Sequence, residues 1–126
     1  MGCCSSEEVS IAHRINQSKT KSRYVFLVRH GEKADRHGDS ADRGNIDSQL
    51  TQTGKQQAIE TGWFIHQTLE QIEDIEGKRF GQIKVSSSPF VRCMLTASKI
   101  CSVLNVSEFE LNYNYCELLL QSRYPE

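Results

Sequence analysis

The sequence lacks a long hydrophobic run and an excess of either charge. No apolar stretch approaches the roughly 20 residues that a membrane-spanning helix needs, so we expect no such helix. The chain of 126 residues carries 15 Lys and Arg against 16 Asp and Glu, for a net charge of -1. This balance lacks the basic excess that attracts a phosphate backbone, and we therefore expect no nucleic-acid partner. The length suits one domain.

The cysteines lack the paired spacing of a disulfide framework or a zinc site. They are Cys3, Cys4, Cys93, Cys101 and Cys116. No secretory signal peptide precedes them. We therefore expect the three internal cysteines to be small buried hydrophobes in a reducing, cytoplasmic compartment. The glycines occur singly and no phosphate-binding Gly-Lys-Ser/Thr segment exists, so the sequence predicts no metal, nucleotide or flavin cofactor.

Residues 1–22 are poor in large apolar side chains and predict a flexible tail. Their first six residues match the N-myristoylation pattern, with Gly2 exposed after removal of the initiator methionine. Cys3 and Cys4 beside it are candidate palmitoylation sites. Because two acyl chains hold a protein firmly at a bilayer, the pattern predicts attachment to the cytoplasmic face of a membrane. The alternative is a solvated tail with a chance match to a loose pattern.

The remaining chain, residues 23–126, opens with a strand pattern. Residues 24–28 form a short, continuous apolar run of the kind that is buried on both faces of a sheet. A polar, turn-rich loop follows. Apolar residues at spacings of three and four then predict a helix that begins at Thr51 or Thr53 and ends at Gly77.

The alternation of strand and helix patterns repeats in the second half. Residues 82–86 have strand character, residues 90–104 predict a helix, residues 109–111 predict a third short strand, and residues 116–120 predict a helical turn. This order predicts an α/β fold with a parallel sheet. Three strands make a thin sheet whose edges need covering.

Polar side chains follow the predicted strands, where open parallel sheets place their ligands. Arg29 and His30 follow the first strand, and Ser87 and Arg92 follow the second. A neutral imidazole can act as a nucleophile, and planar guanidinium groups bind phosphate oxygens in pairs. Each residue alone has an ordinary explanation as a satisfied or solvated polar group. Together they predict a site for a phosphoryl group.

Four segments resemble motifs of the histidine phosphatase superfamily, the phosphoglycerate mutase-like proteins. They are VFLVRHGE at 25–32, LTQTGKQQA at 50–58, SSPFVRCMLTA at 87–97 and the shorter CELL at 116–119. The resemblance implies a three-layer α/β sandwich with a mostly parallel sheet. The variant Arg-His-Gly-Glu-Lys-Ala-Asp is similar to the branch that includes the ecdysteroid-phosphate phosphatases. By its own spacing the second segment is structural, because it caps and begins the first long helix.

The resemblance also implies a metal-independent phosphomonoester hydrolase that works through a phosphohistidine. It assigns His30 as the nucleophile, Arg29 and Arg92 as phosphate ligands, and Glu117 as the acid and base. The alternative for Glu117 is a surface glutamate on a short helix. The implied substrate is a phosphorylated small molecule or a phosphoprotein.

Two further residues are expected at the phosphate. Lys33 stands where the similar branch often has a third arginine, and lysine keeps the charge but loses the planar fork. Ser87 opens the third motif and precedes helix amides that attract an anion. Both are therefore candidate phosphate-binding residues.

Family members carry a second active-site histidine near the end of a later strand, and this sequence has none in a matching context. Its other histidines are His13 in the tail, His37 in the polar loop and His66 in the first long helix. We therefore expect residues 23–126 to be a partial domain, truncated at the C-terminus. The alternatives to an active phosphatase are a weakly active or inactive protein that binds phosphate groups at a membrane, and a short product that folds only marginally.

Overall fold

The computed structural model describes residues 23–37 and 45–116. Its elements are helix α1 (Ala34–His37), helix α2 (Gln52–Glu76), strand β1 (Ser86–Ser87), helix α3 (Val91–Leu104), strand β2 (Glu110–Leu111) and a 3-10 helix (Tyr113–Tyr115). The predicted tail and residues 117–120 of the helical turn predicted at 116–120 lie outside the described residues. In the described part of the chain, no helix combines the length and the low polarity needed to cross a bilayer.

Helix α2 begins and ends where the sequence predicts. The Thr51 hydroxyl accepts a hydrogen bond from the backbone N–H of Gly54 at 2.9 Å, which makes Thr51 the N-cap. Gly77 closes the helix in the left-handed conformation, with φ 64, a position that glycine occupies without a Cβ clash. Between them, Ala58, Gly62 and Ile65 are buried on one face. The predicted helix is therefore confirmed, with Thr51 rather than Thr53 as its cap.

Helix α3 packs against α2 and supplies the other half of the core. Its buried face includes Ala97, Ile100 and Cys101. A Cβ on Gly62 of α2 would lie 2.9 Å from the Cβ of Val103, so the two helices approach closely at this glycine. The predicted helix at 90–104 is confirmed, with its first residue at Val91.

The sheet of the described residues consists of β1 and β2, which pair in parallel. Ser86 lies opposite Glu110 and Ser87 opposite Leu111. The N–H of Asn112 donates to the carbonyl of Ser87 at 2.8 Å, which continues the pairing beyond β2. Helix α3 connects the two strands, as a parallel pair requires. The predicted α/β class is confirmed. Of the strand predicted at 82–86 only Ser86 lies in a strand, and the strand predicted at 109–111 is confirmed as β2 (Glu110–Leu111).

The first predicted strand is wrong in the described structure. Residues 24–28 form no strand there, and Val25 and Leu27 are 81% and 95% exposed. Burial on both faces needs neighbouring strands and a covering layer on each side, and the described sheet pairs only β1 with β2. Tyr24 is instead held by a hydrogen bond, which its hydroxyl donates to the Glu76 carboxylate, and by an edge-on ring contact with Phe80.

The internal cysteines differ in their exposure. Cys101 is buried, Cys93 is half-buried and Cys116 is exposed. The prediction that all three are buried is therefore confirmed for Cys101 and wrong for Cys116, which follows the 3-10 helix at the edge of the described region. Burial in the α2–α3 core raises the pKa of the Cys101 thiol, because the thiolate is poorly solvated there.

Candidate functional site

His30 has a fixed ring orientation. Its Nδ1 lies 2.7 Å from the backbone carbonyl oxygen of Gly31. Because a carbonyl can only accept, Nδ1 must carry the proton and donate it in this bond. The neutral ring then has its lone pair on Nε2, the nitrogen available for attack. His30 is half-buried and the neighbouring Arg29 is exposed.

Thr96 joins the Arg-His-Gly segment to helix α3. The backbone N–H of Gly31 donates to Thr96 Oγ1 at 3.1 Å, and that hydroxyl donates to the carbonyl of Arg92 at 2.8 Å. The structure therefore brings the segment that carries His30 to the helix turn that begins with Arg92. His30 and Arg92 are 62 positions apart in the sequence.

The Arg-His-Gly segment also contacts the start of α2, where the two backbones approach closely. A Cβ on Gly31 would overlap the carbonyl oxygen of Gly54, and a Cβ on Gly54 would overlap the backbone of Glu32. The N–H of Thr51 donates to the carbonyl of Glu32 at 3.0 Å, and the N–H of Glu32 donates to the side chain of Gln57 at 2.9 Å. The segment at 50–58 therefore begins the helix, as predicted, and also holds the Arg-His-Gly segment.

Arg92 is almost wholly buried at the start of α3, with 1% of its surface exposed. Its Nη1 donates to the carbonyl of Ile46 at 3.2 Å. The guanidinium carbon lies 4.3 Å from the centre of the Phe90 ring, within the range of a cation–π contact. Phe90 and Ile46 thus fix the plane of this guanidinium.

The other predicted phosphate ligands have partners within the protein. The Ser87 side chain is buried at the end of β1, and its hydroxyl donates to the carbonyl of Ser88 at 2.9 Å. Lys33 Nζ lies 3.1 Å from a carboxylate oxygen of Asp35. Their contacts with phosphate stay predictions.

Glu117, Gly2, Cys3 and Cys4 lie outside the described residues, so their roles also stay predictions. His66 lies on α2, with Nδ1 3.5 Å from a carboxylate oxygen of Glu70. Among residues 23–37 and 45–116, no group of three or more His, Cys, Asp or Glu residues is arranged to hold a metal ion.

Sequence reasoning missed three residues that position the site: Thr96, Gln57 and Asp47. Thr96 could have been found, because it follows Arg92 by four residues and therefore lies on the same helix face. Gln57 lies in the motif at 50–58, which was predicted only to begin the helix, and Asp47 gave no such signal. Asp47 accepts a hydrogen bond from the N–H of Val91, 44 residues away, at 2.8 Å.

The family model of the histidine phosphatase superfamily (branch 1) matches residues 25–118, well over half of the chain. No curated protein and no solved structure gives a significant match. The matched range includes the Arg-His-Gly segment, Arg92, Thr96 and Glu117. The match does not distinguish the ecdysteroid-phosphate phosphatases from other members. The predicted family is confirmed, and the chain belongs to the histidine phosphatase superfamily, branch 1.

Proposed function

We propose that this chain is a metal-independent phosphomonoester hydrolase that forms a phosphohistidine on His30. Membership of the superfamily supports phosphatase or mutase chemistry in general. The observation that carries the proposal is the bond between His30 Nδ1 and the Gly31 carbonyl, which leaves the lone pair of the neutral ring on Nε2. An imidazole held in this tautomer needs no proton transfer before it attacks.

In the first step, Nε2 of His30 attacks the phosphorus of the substrate. A P–N bond forms while the P–O bond to the leaving group breaks. Glu117, as a carboxylic acid, gives its proton to the leaving oxygen. Arg29 and Arg92 bind the non-bridging oxygens, whose charge they stabilise in the transition state, and Lys33 and Ser87 assist them.

In the second step, water releases the phosphate. The Glu117 carboxylate takes a proton from the water, whose oxygen attacks the phosphorus. The P–N bond breaks, inorganic phosphate leaves, and His30 returns to its neutral form. The acid of the first step is thereby restored, so the cycle needs no metal and no cofactor.

The test is hydrolysis of p-nitrophenyl phosphate without added metal by the wild type, His30→Ala and His66→Ala. We expect His30→Ala to lose the activity and His66→Ala, a matched histidine outside the proposed site, to keep it. Labelled substrate quenched in base should leave label on His30, because phosphohistidine survives base and is lost in acid. Equal rates in wild type and His30→Ala would contradict the proposal.

A second candidate function is a protein that binds phosphate groups and turns them over slowly or not at all. The guanidinium of Arg92 is buried and already bonded to the Ile46 carbonyl, which favours slow turnover over rapid catalysis. A well-folded wild type that binds inorganic phosphate but leaves p-nitrophenyl phosphate intact would support it. Circular dichroism provides the check on folding.

The branch of the family and the substrate class are proposed from the sequence motifs. The variant Arg-His-Gly-Glu-Lys-Ala-Asp supports a phosphatase of the branch that includes the ecdysteroid-phosphate phosphatases rather than a mutase. The βαβ unit of β1, α3 and β2 is compatible with a three-layer sandwich, which we propose for the family domain as a whole. The substrate class remains a phosphorylated small molecule or a phosphoprotein.

We also propose that acyl groups on Gly2, Cys3 and Cys4 attach the protein to the cytoplasmic face of a membrane. The match to the myristoylation pattern supports this, with adjacent cysteines for the second acyl chain. Cells fed labelled palmitate should label the wild type and leave Gly2→Ala unlabelled and soluble. Soluble fractionation of the wild type itself would contradict the attachment.

A further inference from the structure

A short segment crosses the start of helix α3 next to Arg92. We call residues 45–48 the strap. Asp47 accepts a hydrogen bond from the N–H of Val91 at 2.8 Å, and the Ile46 carbonyl accepts one from Arg92 Nη1 at 3.2 Å. The N–H of Asp47 also donates to the Asn45 side chain at 3.0 Å, which holds the turn of the strap. Two consecutive strap residues therefore bind two consecutive residues of α3.

These two contacts use the donors that an anion would use. Backbone N–H groups at a helix N-terminus attract negative charge, and the Asp47 carboxylate accepts from one of them. The N–H groups of a guanidinium are the usual donors to phosphate oxygens, and the Ile46 carbonyl accepts from Arg92. The strap thus supplies a carboxylate and a carbonyl where a bound phosphate would supply its oxygens.

Arg92 is buried beside the strap. Only 1% of Arg92 is exposed, whereas Arg29, in the neighbouring Arg-His-Gly segment, is exposed. A phosphate cannot contact a guanidinium that the protein covers so fully unless a covering group moves. The strap is held at α3 by side-chain and carbonyl hydrogen bonds, each of which can exchange for a bond to a phosphate oxygen.

We propose that the strap is an autoinhibitory contact: phosphate reaches Arg92 only when the bond between Asp47 and Val91 opens. The phosphate oxygens then replace the Ile46 carbonyl at Arg92 and the Asp47 carboxylate at the helix N-terminus. This inference rests on the phosphate-binding role of Arg92 in the proposed function, and it assigns that site a closed form and an open form. Affinity for phosphate is reduced by the fraction of molecules in the closed form.

The first test is the affinity of the full chain for inorganic phosphate, measured by titration calorimetry. A carboxylate cap shifts an equilibrium by roughly fivefold, so Asp47→Ala should bind phosphate about fivefold more tightly than the wild type. Asp47→Asn keeps an oxygen that accepts from Val91 and should stay within about twofold of the wild type. Equal or weaker binding by Asp47→Ala would overturn the inference, since it would mean that Asp47 positions Arg92 for phosphate instead of covering it.

Loss of a cap also lowers stability, so a matched variant is needed. Asn112 caps the 3-10 helix, where its side chain accepts from the N–H of Asn114 at 3.0 Å. Asn112→Ala should lower the melting temperature and leave the phosphate affinity unchanged. A tighter affinity in both Asn112→Ala and Asp47→Ala would show that general loosening, and not the strap, controls access.

The second test needs no phosphate. Phenylglyoxal modifies accessible guanidinium groups, and mass spectrometry locates the modified residues. With the exposed Arg29 as the internal reference, Arg92 should react about fivefold faster in Asp47→Ala than in the wild type. Equal reactivity would overturn the inference, because the strap would then not be what covers Arg92.

The outcomes separate this inference from the proposed function. Phosphate hydrolysis that depends on His30, together with unchanged affinity in Asp47→Ala, would reject the strap alone. A wild type and an Asp47→Ala variant that both fail to bind phosphate and to hydrolyse phosphate esters would reject the proposed function, and the inference would fail with it.

Discussion

The hydroxyl of Thr96 connects Gly31 to helix α3, accepting from the Gly31 N–H at 3.1 Å while it donates to the Arg92 carbonyl at 2.8 Å. One side chain thereby uses its donor and an acceptor site to join the segment that carries His30 to the first turn of α3. Because the hydroxyl is buried, water does not replace either bond readily.

Thr96→Val should reduce both stability and activity. Valine keeps the shape of threonine but leaves the Gly31 N–H without its acceptor, at a cost of roughly 1–3 kcal/mol. We expect hydrolysis of p-nitrophenyl phosphate to fall about tenfold because His30 is less well positioned. The matched control is Thr68→Val on α2. The hydroxyl of Thr68 donates to the Phe64 carbonyl within α2 and makes no bond to the Arg-His-Gly segment. Similar losses of activity in the two variants would contradict the positioning role of Thr96.

Gly31→Ala should destabilise the fold. The new Cβ would overlap the Gly54 carbonyl oxygen, so two backbone segments would have to move apart, at a cost of roughly 1–3 kcal/mol. Gly81→Ala is the control, because a Cβ on Gly81 would meet none of the described atoms within 4 Å. Urea unfolding curves give both values. A Gly31→Ala protein as stable as Gly81→Ala would show that this contact is not close in solution.

Leu27→Ser should be nearly neutral for stability. The Leu27 side chain is 95% exposed, so its replacement loses little buried area and should change the free energy of unfolding by less than about 0.5 kcal/mol. Ile65→Ala, in the buried face of α2, should cost roughly 2–5 kcal/mol. Chemical denaturation compares the two. A large loss in Leu27→Ser would mean that residues 24–28 are buried in solution, as the sequence alone predicts.

Cys116 should react with iodoacetamide well before Cys101. Cys116 is exposed, while Cys101 is buried and its thiol pKa is raised by that burial, so less thiolate forms at a given pH. Mass spectrometry after timed labelling gives the order. Faster modification of Cys101 than of Cys116 would contradict the packing of α3 on α2.

The raised pKa of Cys101 also makes stability depend on pH. The folded-state pKa lies above the ordinary value of 9.0, so the contribution of this thiol is fully present below 9.0 and is lost as the pH rises through the folded pKa. The wild type should therefore lose more stability than Cys101→Ala as the pH rises above 9.0. Urea unfolding at successive pH values compares the two proteins. Parallel curves would show that Cys101 ionises equally easily in both states.

The two long helices, α2 and α3, were predictable from the sequence, whereas the short helix α1 lies in the predicted loop and the sheet was predictable only in part. Thr51 and Gly77 lie next to the helix they cap, so local sequence determines both ends of α2. A strand depends on its neighbours, which local sequence does not specify. The apolar run at 24–28 has the composition of a buried strand, and the described structure leaves Val25 and Leu27 exposed.

In the candidate site, too, some residues were recognised from the sequence and others were not. The Arg-His-Gly segment and Arg92 were recognised as site residues because their side chains have a distinctive chemistry. Their supports, Thr96 and Asp47, are ordinary polar residues whose role depends on contacts across 65 and 44 positions. A sequence alone does not specify which of many threonines and aspartates makes such a contact.

The Asp47 bond at the start of α3 has a consequence for the order of folding. Helix α2 takes both of its caps from adjacent residues, so its ends can form before any tertiary contact. The N–H of Val91, at the start of α3, instead donates to the Asp47 side chain, and that bond requires the closure of a loop of 44 positions that contains all of α2. We therefore expect α2 to acquire protection from hydrogen exchange early in refolding, and the Val91 amide to acquire it late.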